Sequence, residues 1–275
     1  MNFTSKLYPG EIVIDDSNYK DHCHPIQNGE RRFFGYQQSP KGFAASKVAS
    51  GDAASFSFPV IPRSEWDARI ADMEQNQTRI SDMLLQAGIP SLDQDSTNYC
   101  WCNAVVGCVQ VVRAQQNQKY VPLSPASVAA PVTGYRNQGG WGGEALDYIV
   151  KNGVAAVAQW PANAISQSYF SASRANAALH KVQEYYILNP NDSNIFDQIM
   201  TMLFMRIPVS CGLGWWEHEI MYTDPVKLSG NSNYGIRFRN SWGDSYGSKG
   251  FNTLTESKAM PDDACSPGVV IASNE

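Results

Sequence analysis

Residues 92–110 read LDQDSTNYCWCNAVVGCVQ, and the change of pattern inside that stretch decides the fold. A polar loop gives way at Cys100 to a helix-compatible run that continues to about Gln115. A cysteine in the first turn of a helix meets the positive end of the helix dipole and free N–H groups, which favour thiolate over thiol. Gln94 lies on the incoming loop, where its amide is placed to join the Cys100 backbone N–H in holding a developing oxyanion. A buried cysteine opening an ordinary core helix has the same local pattern, so the stretch needs a partner elsewhere in the chain.

Residues 215–251, WWEHEIMYTDPVKLSGNSNYGIRFRNSWGDSYGSKGF, supply one. The alternation predicts a hairpin, with strands near His218–Tyr222 and Tyr234–Asn240 around a polar turn containing Ser229 and Gly230. His218, Ile220 and Tyr222 share one face, as do Tyr234, Ile236, Phe238 and Asn240. With the register centred on Ser229, His218 lies opposite Asn240, Ile220 opposite Phe238, and Tyr222 opposite Ile236. A one-residue slip breaks the match. An amide beside a histidine is what a Cys–His pair needs to fix the imidazole, and Trp242 can shield that contact from water. Without Cys100, the same residues describe a hairpin holding a satisfied histidine.

Together the two stretches resemble the papain family of cysteine peptidases. The matching features run from Gln94 and Cys100-Trp101 through Leu123-Ser124 to Gly139-Gly140-Trp141 and Glu144-Ala145-Leu146. They continue with Lys151-Asn152-Gly153, Pro208-Val209-Ser210, His218, and Asn240-Ser241-Trp242-Gly243 followed by Gly247 and Gly250. The resemblance covers roughly residues 89–256. It implies an α+β fold of two subdomains, one helical and one β-rich, and hydrolysis of peptide or amide bonds. By it Cys100 is the nucleophile, His218 its base, Asn240 the group orienting that base, and Gln94 the oxyanion donor. Gly139, Gly140 and Trp242 would meet the substrate, the glycines because an absent Cβ permits close strand-like approach. A peptide or protein substrate is implied, with no metal and no cofactor. Thr97 departs from the pattern, standing where the family usually has a disulfide cysteine. Glu217 precedes the histidine where many relatives carry Asp or Asn, and the segment from Pro208 to His218 is short.

Outside that region the chain divides into an extended arm at 1–62, an amphipathic helix at 63–88 and the peptidase-like domain at 89–275. The helix is marked by Ser64 with Asp67 at its start, by Gly88 and Pro90 at its end, and by a stripe of Trp66, Ile70, Met73, Ile80 and Leu84 that Gln77 interrupts. Shorter helices are expected from Ser124, over Glu144–Asn152 with Gly153 as C-cap, and over Ile195–Met205, with strands after Pro208. The arm shows only strand-like runs, at Glu11–Ile14 and Phe56–Ile61. Its aromatic residues Phe33, Phe34, Tyr36, Phe43, Phe56 and Phe58 fit no single helix face. They are expected to dock on neighbouring chains, making the arm an assembly tether such as a virus or phage particle would use.

Composition bounds the rest. The chain has 275 residues, 43% hydrophobic and 17% charged, enough to bury a core without staples. A net charge of −5 with no Lys/Arg run argues against a nucleic-acid partner. No apolar stretch reaches membrane-spanning length, which argues against membrane insertion. The start, MNFTSKLYPGEIVIDD, lacks the pattern of a secretory signal, so a cytoplasmic or particle-associated location is expected. Cys102 and Cys108 read as packing residues, while Cys211 and Cys265 are candidates for pairing. His22, Cys23 and His24 form a small cluster without a second one, so packing is expected there rather than a metal. Two rival readings stand beside the peptidase. One is a structural component of an assembly that retains the fold. The other is transglutaminase-like acyl transfer, which Asn240 disfavours because that chemistry uses Cys-His-Asp.

Overall fold

Every residue from Cys100 to Arg113 is buried, so the helix they form cannot lie on a surface. It is an axis, with helices on one side and a sheet on the other. The structure is a computed structural model describing residues 3–23, 26–27, 30–229 and 234–273. In the arm the elements are β1 (Val13–Ile14), α1 (Tyr19–His22), β2 (Ile26–Gln27), β3 (Glu30–Arg31), α2 (Phe43–Ala49) and β4 (Ala54–Ser55). Six helices follow in the remainder: α3 (Arg63–Gln75), α4 (Ile80–Gln86), α5 (Cys100–Gln115), α6 (Ala126–Val132), α7 (Gly142–Asn152) and α8 (Phe170–Ala177). Then come β5 (Val182–Ile187), α9 (Ile195–Phe204), β6 (Val209–Leu213), β7 (His218–Lys227), β8 (Tyr234–Arg239), β9 (Phe251–Thr255) and β10 (Asp263–Val270). Helices α6 and α7 pack on α5 around one core, and a second core lies between the sheet, α3 and α9.

The main sheet has the order β1-β9-β8-β7-β6-β10-β5-β4. Both edge strands come from the arm, and both pair in parallel, Val13 with Thr253 and Ala54 with Tyr186. They cover backbone that would otherwise template association. The arm is thus a belt round its own chain. Phe34 and Phe56 pack on the sheet-side core, Phe43 meets Trp141 edge to face, and Phe58 touches Phe56 and Tyr186. Phe33 alone of the six aromatic residues stays exposed, at 44%. The strand expected at Phe56–Ile61 is not formed; the pairing falls at Ala54–Ser55 instead. Helix α2, absent from the sequence reading, is seven residues long, too short to show a period, and starts where Phe43 docks on Trp141.

The helix expected over 63–88 is broken in two. Gln77, which interrupts the apolar stripe, adopts φ 52°, and the Asp82 carboxylate accepts the Arg79 backbone N–H to start α4. Trp66, Ile70 and Met73 are buried by α3, Ile80 and Leu84 by α4.

The β7–β8 hairpin forms in a different register from the one expected. Met221 faces Arg239 and Tyr222 faces Phe238, and after a bulge at Thr223 Asp224 faces Arg237. The strands are longer than alternation suggested, with β7 continuing to Lys227. An offset of two residues preserves the faces, so His218 and Asn240 stay on one side and meet diagonally rather than directly opposite. Of the expected turn residues, Gly230 lies outside the described ones.

Cys211 and Cys265 sit on adjacent strands, but Cys265 pairs with Ser210 and Cys211 with Ala264. The two thiols therefore point to opposite faces, into different cores, and both are free. Among the described residues no helix is long and apolar enough to cross a membrane.

Candidate active site

Main-chain pairing draws the two informative stretches together. Gln94 N–H donates to Ser241 O and Gly243 N–H to Leu92 O, both at 2.9 Å, and Asp93 bridges Trp242. Gly243 has φ +73°, and a Cβ there would lie 3.0 Å from the Asp93 carboxylate, so the turn needs glycine. Gln94 is held from several sides. Its Oε1 accepts from Ser241 Oγ at 2.6 Å, and its Nε2 donates to Thr97 O at 2.8 Å. Thr97 Oγ1 donates to Gln94 O at 2.6 Å, so a hydroxyl braces the loop at the position where the resemblance puts a disulfide cysteine in other members. The bracing roles of Thr97 and Ser241 were not foreseen from the sequence, although Ser241 lies inside its most specific string.

His218 opens β7 and is fully buried. Its Nε2 lies 2.7 Å from Asn240 Oδ1, which also accepts the Ser241 N–H at 2.7 Å. An amide oxygen can only accept, so Nε2 carries the proton and Nδ1 holds the lone pair. Nδ1 has no hydrogen-bond partner among the described residues. Trp242 stacks on the imidazole with centroids 4.8 Å apart, and Trp216 and Phe34 meet it at 5.2 and 5.5 Å. Burial lowers the His218 pKa to about 4 against the pull of the Asn240 hydrogen bond, so the ring is neutral at pH 7.

Cys100 is the first residue of α5 and is also fully buried. Burial pushes its thiol up and the Glu219 carboxylate adds to the rise, while the nearby backbone of Glu219, Trp101 and Tyr36 opposes it. Thiol and imidazole are both uncharged in this state. Glu219, next to the histidine, was not singled out in the sequence. It is buried, with Ser210 Oγ donating to Oε1 at 2.7 Å and Gly142 N–H to Oε2 at 3.0 Å, and burial raises its pKa to about 8. A carboxylate inside the apolar β7 run was the available signal.

What covers the site is the arm. Gly35 and Tyr36 N–H donate to Glu217 O at 3.2 and 3.1 Å. Gly140 N–H donates to Gly35 O and Gln37 N–H to Gly140 O, each at 2.9 Å, so Tyr36 and Gly140 form a parallel bridge. Gln94 Nε2 also donates to Phe33 O, at 3.1 Å. Close approach explains the glycines: a Cβ on Gly139 would lie 2.3 Å from Gly35 O, and one on Gly140 2.8 Å from the Trp101 ring. At Gly35 a Cβ would lie 2.1 Å from Asn98 O, backbone against backbone. Arg32, paired with Asp93 at 3.0 Å, tethers the segment at its start.

Other candidates lie elsewhere. His180 is buried with Nδ1 2.9 Å from Val154 O. Cys102 and Cys108 are buried thiols within α5. Cys23 packs near Trp215, and His24 lies outside the described residues. No metal-binding cluster occurs among the described residues.

A sequence model of the papain family of cysteine proteases matches residues 87–229. The chain belongs to that family. No curated protein matches it. Similar solved structures include the digestive procathepsin L2 proteinase of Tenebrio molitor larval midgut, with TM-score 0.56 and 16% identity over 68% of this chain and 67% of that one. Procathepsin L 3 from the same source has TM-score 0.56 and 15% identity over 92% and 86% of the two chains. A structure from a study of antibody cross-reactivity between the mite allergens Blo t 1 and Der p 1 has TM-score 0.59 and 14% identity, covering 85% and 80%. At these identities the likeness establishes the papain-like α+β fold.

Proposed function

We propose that this chain is a cysteine peptidase that hydrolyses peptide bonds with Cys100, His218, Asn240 and Gln94, and that residues 33–37 hold it latent. His218 Nδ1 takes the thiol proton, and the thiolate attacks the carbonyl carbon to form a tetrahedral adduct. Gln94 Nε2 and the Cys100 N–H stabilise the oxyanion. The imidazolium gives its proton to the leaving amine, and water then hydrolyses the thioester. Asn240 keeps the ring aimed through its bond to Nε2.

The observation carrying this reading is that Gln94 and Gly140 already grip a peptide backbone, in a way that does not permit attack. Gln94 holds the Phe33 carbonyl, whereas the arm backbone that acts on the Cys100 thiol is that of Tyr36, three residues on, with its N–H donated to Glu217 O. Productive attack needs donor and nucleophile on one carbonyl. The cover therefore inhibits without being a substrate in this pose. The alternative role in an assembly drew its support from the arm, and the arm's aromatic residues are largely engaged within this chain.

The test is to treat the full chain with an epoxide-type thiol inhibitor and map the adduct by mass spectrometry. Slow labelling of Cys100 is expected, faster when the arm is loosened. Labelling of Cys102 with Cys100 untouched overturns the assignment. With peptide substrates, Asn240→Ala should lower turnover less than Cys100→Ala, because an orienting group is partly dispensable and a nucleophile is not.

A further inference from the structure

Glu219 has no step in that mechanism, yet it adjoins the nucleophile. Consecutive residues of β7 point to opposite faces, so while His218 enters the aromatic cluster, Glu219 runs the other way, towards α5 and α7. Its backbone lies against the Cys100 thiol, and its carboxyl ends in a space shaped for it. A Cβ on Gly142, the first residue of α7, would lie 2.1 Å from Oε1, 2.9 Å from Cys265 Sγ and 3.1 Å from Val105 Cγ2. The glycine thus clears the room that the carboxyl fills. Among the described residues no cation pairs with it; Ser210 Oγ and Gly142 N–H hold it, and the charge of Asp263 opposes its ionisation. Its neighbours are otherwise thiols and acids. Its charge reaches Cys100, Cys102 and Cys108 of α5, Cys211 of β6, Cys265 of β10 and Tyr36 of the arm, and Glu144 of α7 acts on the same Cys102. Asp263 is itself engaged by the arm, accepting from Tyr36 Oη at 2.6 Å and from the Ser39 N–H at 2.8 Å.

We propose that Glu219 is a positioning residue that acts through Cys100: with its proton on, the carboxyl lets the thiolate form, and with its proton off, its charge holds Cys100 as the thiol. The proposal rests on the peptidase reading and deepens it by naming what controls the nucleophile. When Cys100 is activated, the Sγ–H proton passes to His218 Nδ1 and the negative charge stays on sulfur. A neutral carboxyl leaves that charge alone. An ionised one sets a second negative charge beside it, in surroundings where burial leaves little water to screen either. The proton has a place to sit. Carried on Oε1, it is donated to Ser210 Oγ, reversing the bond of the ionised form, while Oε2 goes on accepting from Gly142 N–H. With a pKa of about 8, Glu219 changes charge at mildly alkaline pH, so the site is competent below that point and loses competence above it. The direction is opposite to that of an ordinary thiol, which gains thiolate as pH rises.

The pH profile of Cys100 labelling tests this. The full chain and its Glu219→Gln variant are treated with the epoxide across the alkaline range, and the adducts are mapped by mass spectrometry. Glutamine has the shape of the protonated acid and cannot ionise; its Oε1 accepts from Gly142 N–H and its Nε2 donates to Ser210 Oγ. The readout is each protein's own ratio of the labelling rate one pH unit above the Glu219 pKa to the rate well below it, in which the sealing of the arm cancels. At the upper pH about one parent chain in ten keeps the Glu219 proton, so the ratio should be about tenfold higher for Glu219→Gln. Ser210→Ala keeps the acid but removes a donor that favours its charged form, so there the fall should begin at higher pH. A merely structural role predicts the other sign. A carboxylate that loosened the fold on ionising would expose Cys100 and speed its labelling in the parent, with Cys102 labelled too. Equal ratios in parent and Glu219→Gln, a higher ratio in the parent, or an unmoved fall in Ser210→Ala overturns the role of Glu219, while labelling of Cys100 leaves the peptidase reading standing. No labelling of Cys100 in any of the three overturns that reading and the role of Glu219 with it.

Discussion

Residues 3–14 and residues 32–39 belong to one arm but are bound to the rest of the chain by different physics. The first stretch is sunk into the molecule. Ile14 is fully buried, Ser5 exchanges hydrogen bonds with Lys227, and Glu11 meets Arg237 at 3.0 Å with both side chains 0% exposed. Asp224 approaches the same guanidinium at 3.6 Å, and the Tyr8 ring lies 4.4 Å from it. The second stretch touches through backbone hydrogen bonds, Phe34, Tyr36 and polar tips, and its ends are open: Phe33 is 44% exposed, and the Asp93 that holds Arg32 is 47% exposed. A buried charge stripped of its partner is costly, whereas exposed polar groups exchange readily for water. The first stretch is therefore part of the fold, and the second is a cover anchored by it.

The largest effect should come from removing the first stretch. Deleting residues 1–14 takes away an edge strand and leaves Arg237 buried with only Asp224, so a cooperative unfolding transition should be lost. Calorimetry decides it, and an unchanged melting profile would break the comparison. A single substitution, Glu11→Gln, keeps the shape and removes the charge. It should cost about 3 kcal/mol in chemical denaturation, the usual penalty for halving a buried pair. That corresponds to a fall in Tm of roughly 10 °C for a chain of this size.

Gly35→Ala acts on the second stretch alone. Its Cβ would collide with Asn98 backbone, which cannot step aside, so the arm should lift between its anchors. Labelling of Cys100 should accelerate at least tenfold while the unfolding free energy falls by less than the about 3 kcal/mol expected of Glu11→Gln, because only Phe34 and Tyr36 lose burial and no buried charge loses its partner. A large loss of stability here would mean that the cover too belongs to the core.

The candidate site was more legible in the sequence than the arm. Cys100, His218, Asn240 and Gln94 sit in local patterns, a helix start, a strand face and a glycine-spaced turn, whose geometry follows from short-range rules. Helix α5 was legible because its apolar residues extend all round it. The hairpin register was not, since the bulge at Thr223 and the extension of β7 depend on Arg237 seeking Glu11 and Asp224. The arm was illegible for a related reason. Its elements are two to seven residues long and exist because of what they touch, and no period can announce a contact made two hundred residues away. Asp263 and Glu219 escaped notice likewise, because their significance depends on the tyrosine, serine and glycine brought to them by folding.

The smallest effect is on pH dependence, where two neighbours act with opposite sign. His218 has a pKa of about 4 in the folded chain against 6.5 as the ordinary value. Between those limits the unfolded chain binds a proton that the folded one refuses, so stability falls as pH falls, by up to about 3 kcal/mol. Glu219, at about 8 folded against 4.5, holds a proton that the unfolded chain releases. Its contribution is complete below pH 4.5 and is lost as pH rises through 8. From pH 8 to 6.5 acidification should therefore stabilise the chain through Glu219, and from 6.5 to 4.5 the two largely oppose each other. Glu219→Gln, which can keep both the Ser210 and Gly142 bonds, should unmask an acid limb beginning near pH 6.5. Adding Gly35→Ala lifts Phe34 from the imidazole and returns part of its hydration, so the limb should become shallower by roughly 1 kcal/mol, a fraction of a full histidine shift. Urea unfolding at pH 7 and pH 5 measures the difference between these two variants, in which carboxylates common to both cancel. A limb of equal depth would show that Trp216 and Trp242 alone keep the histidine dry, and that the cover governs access without governing protonation.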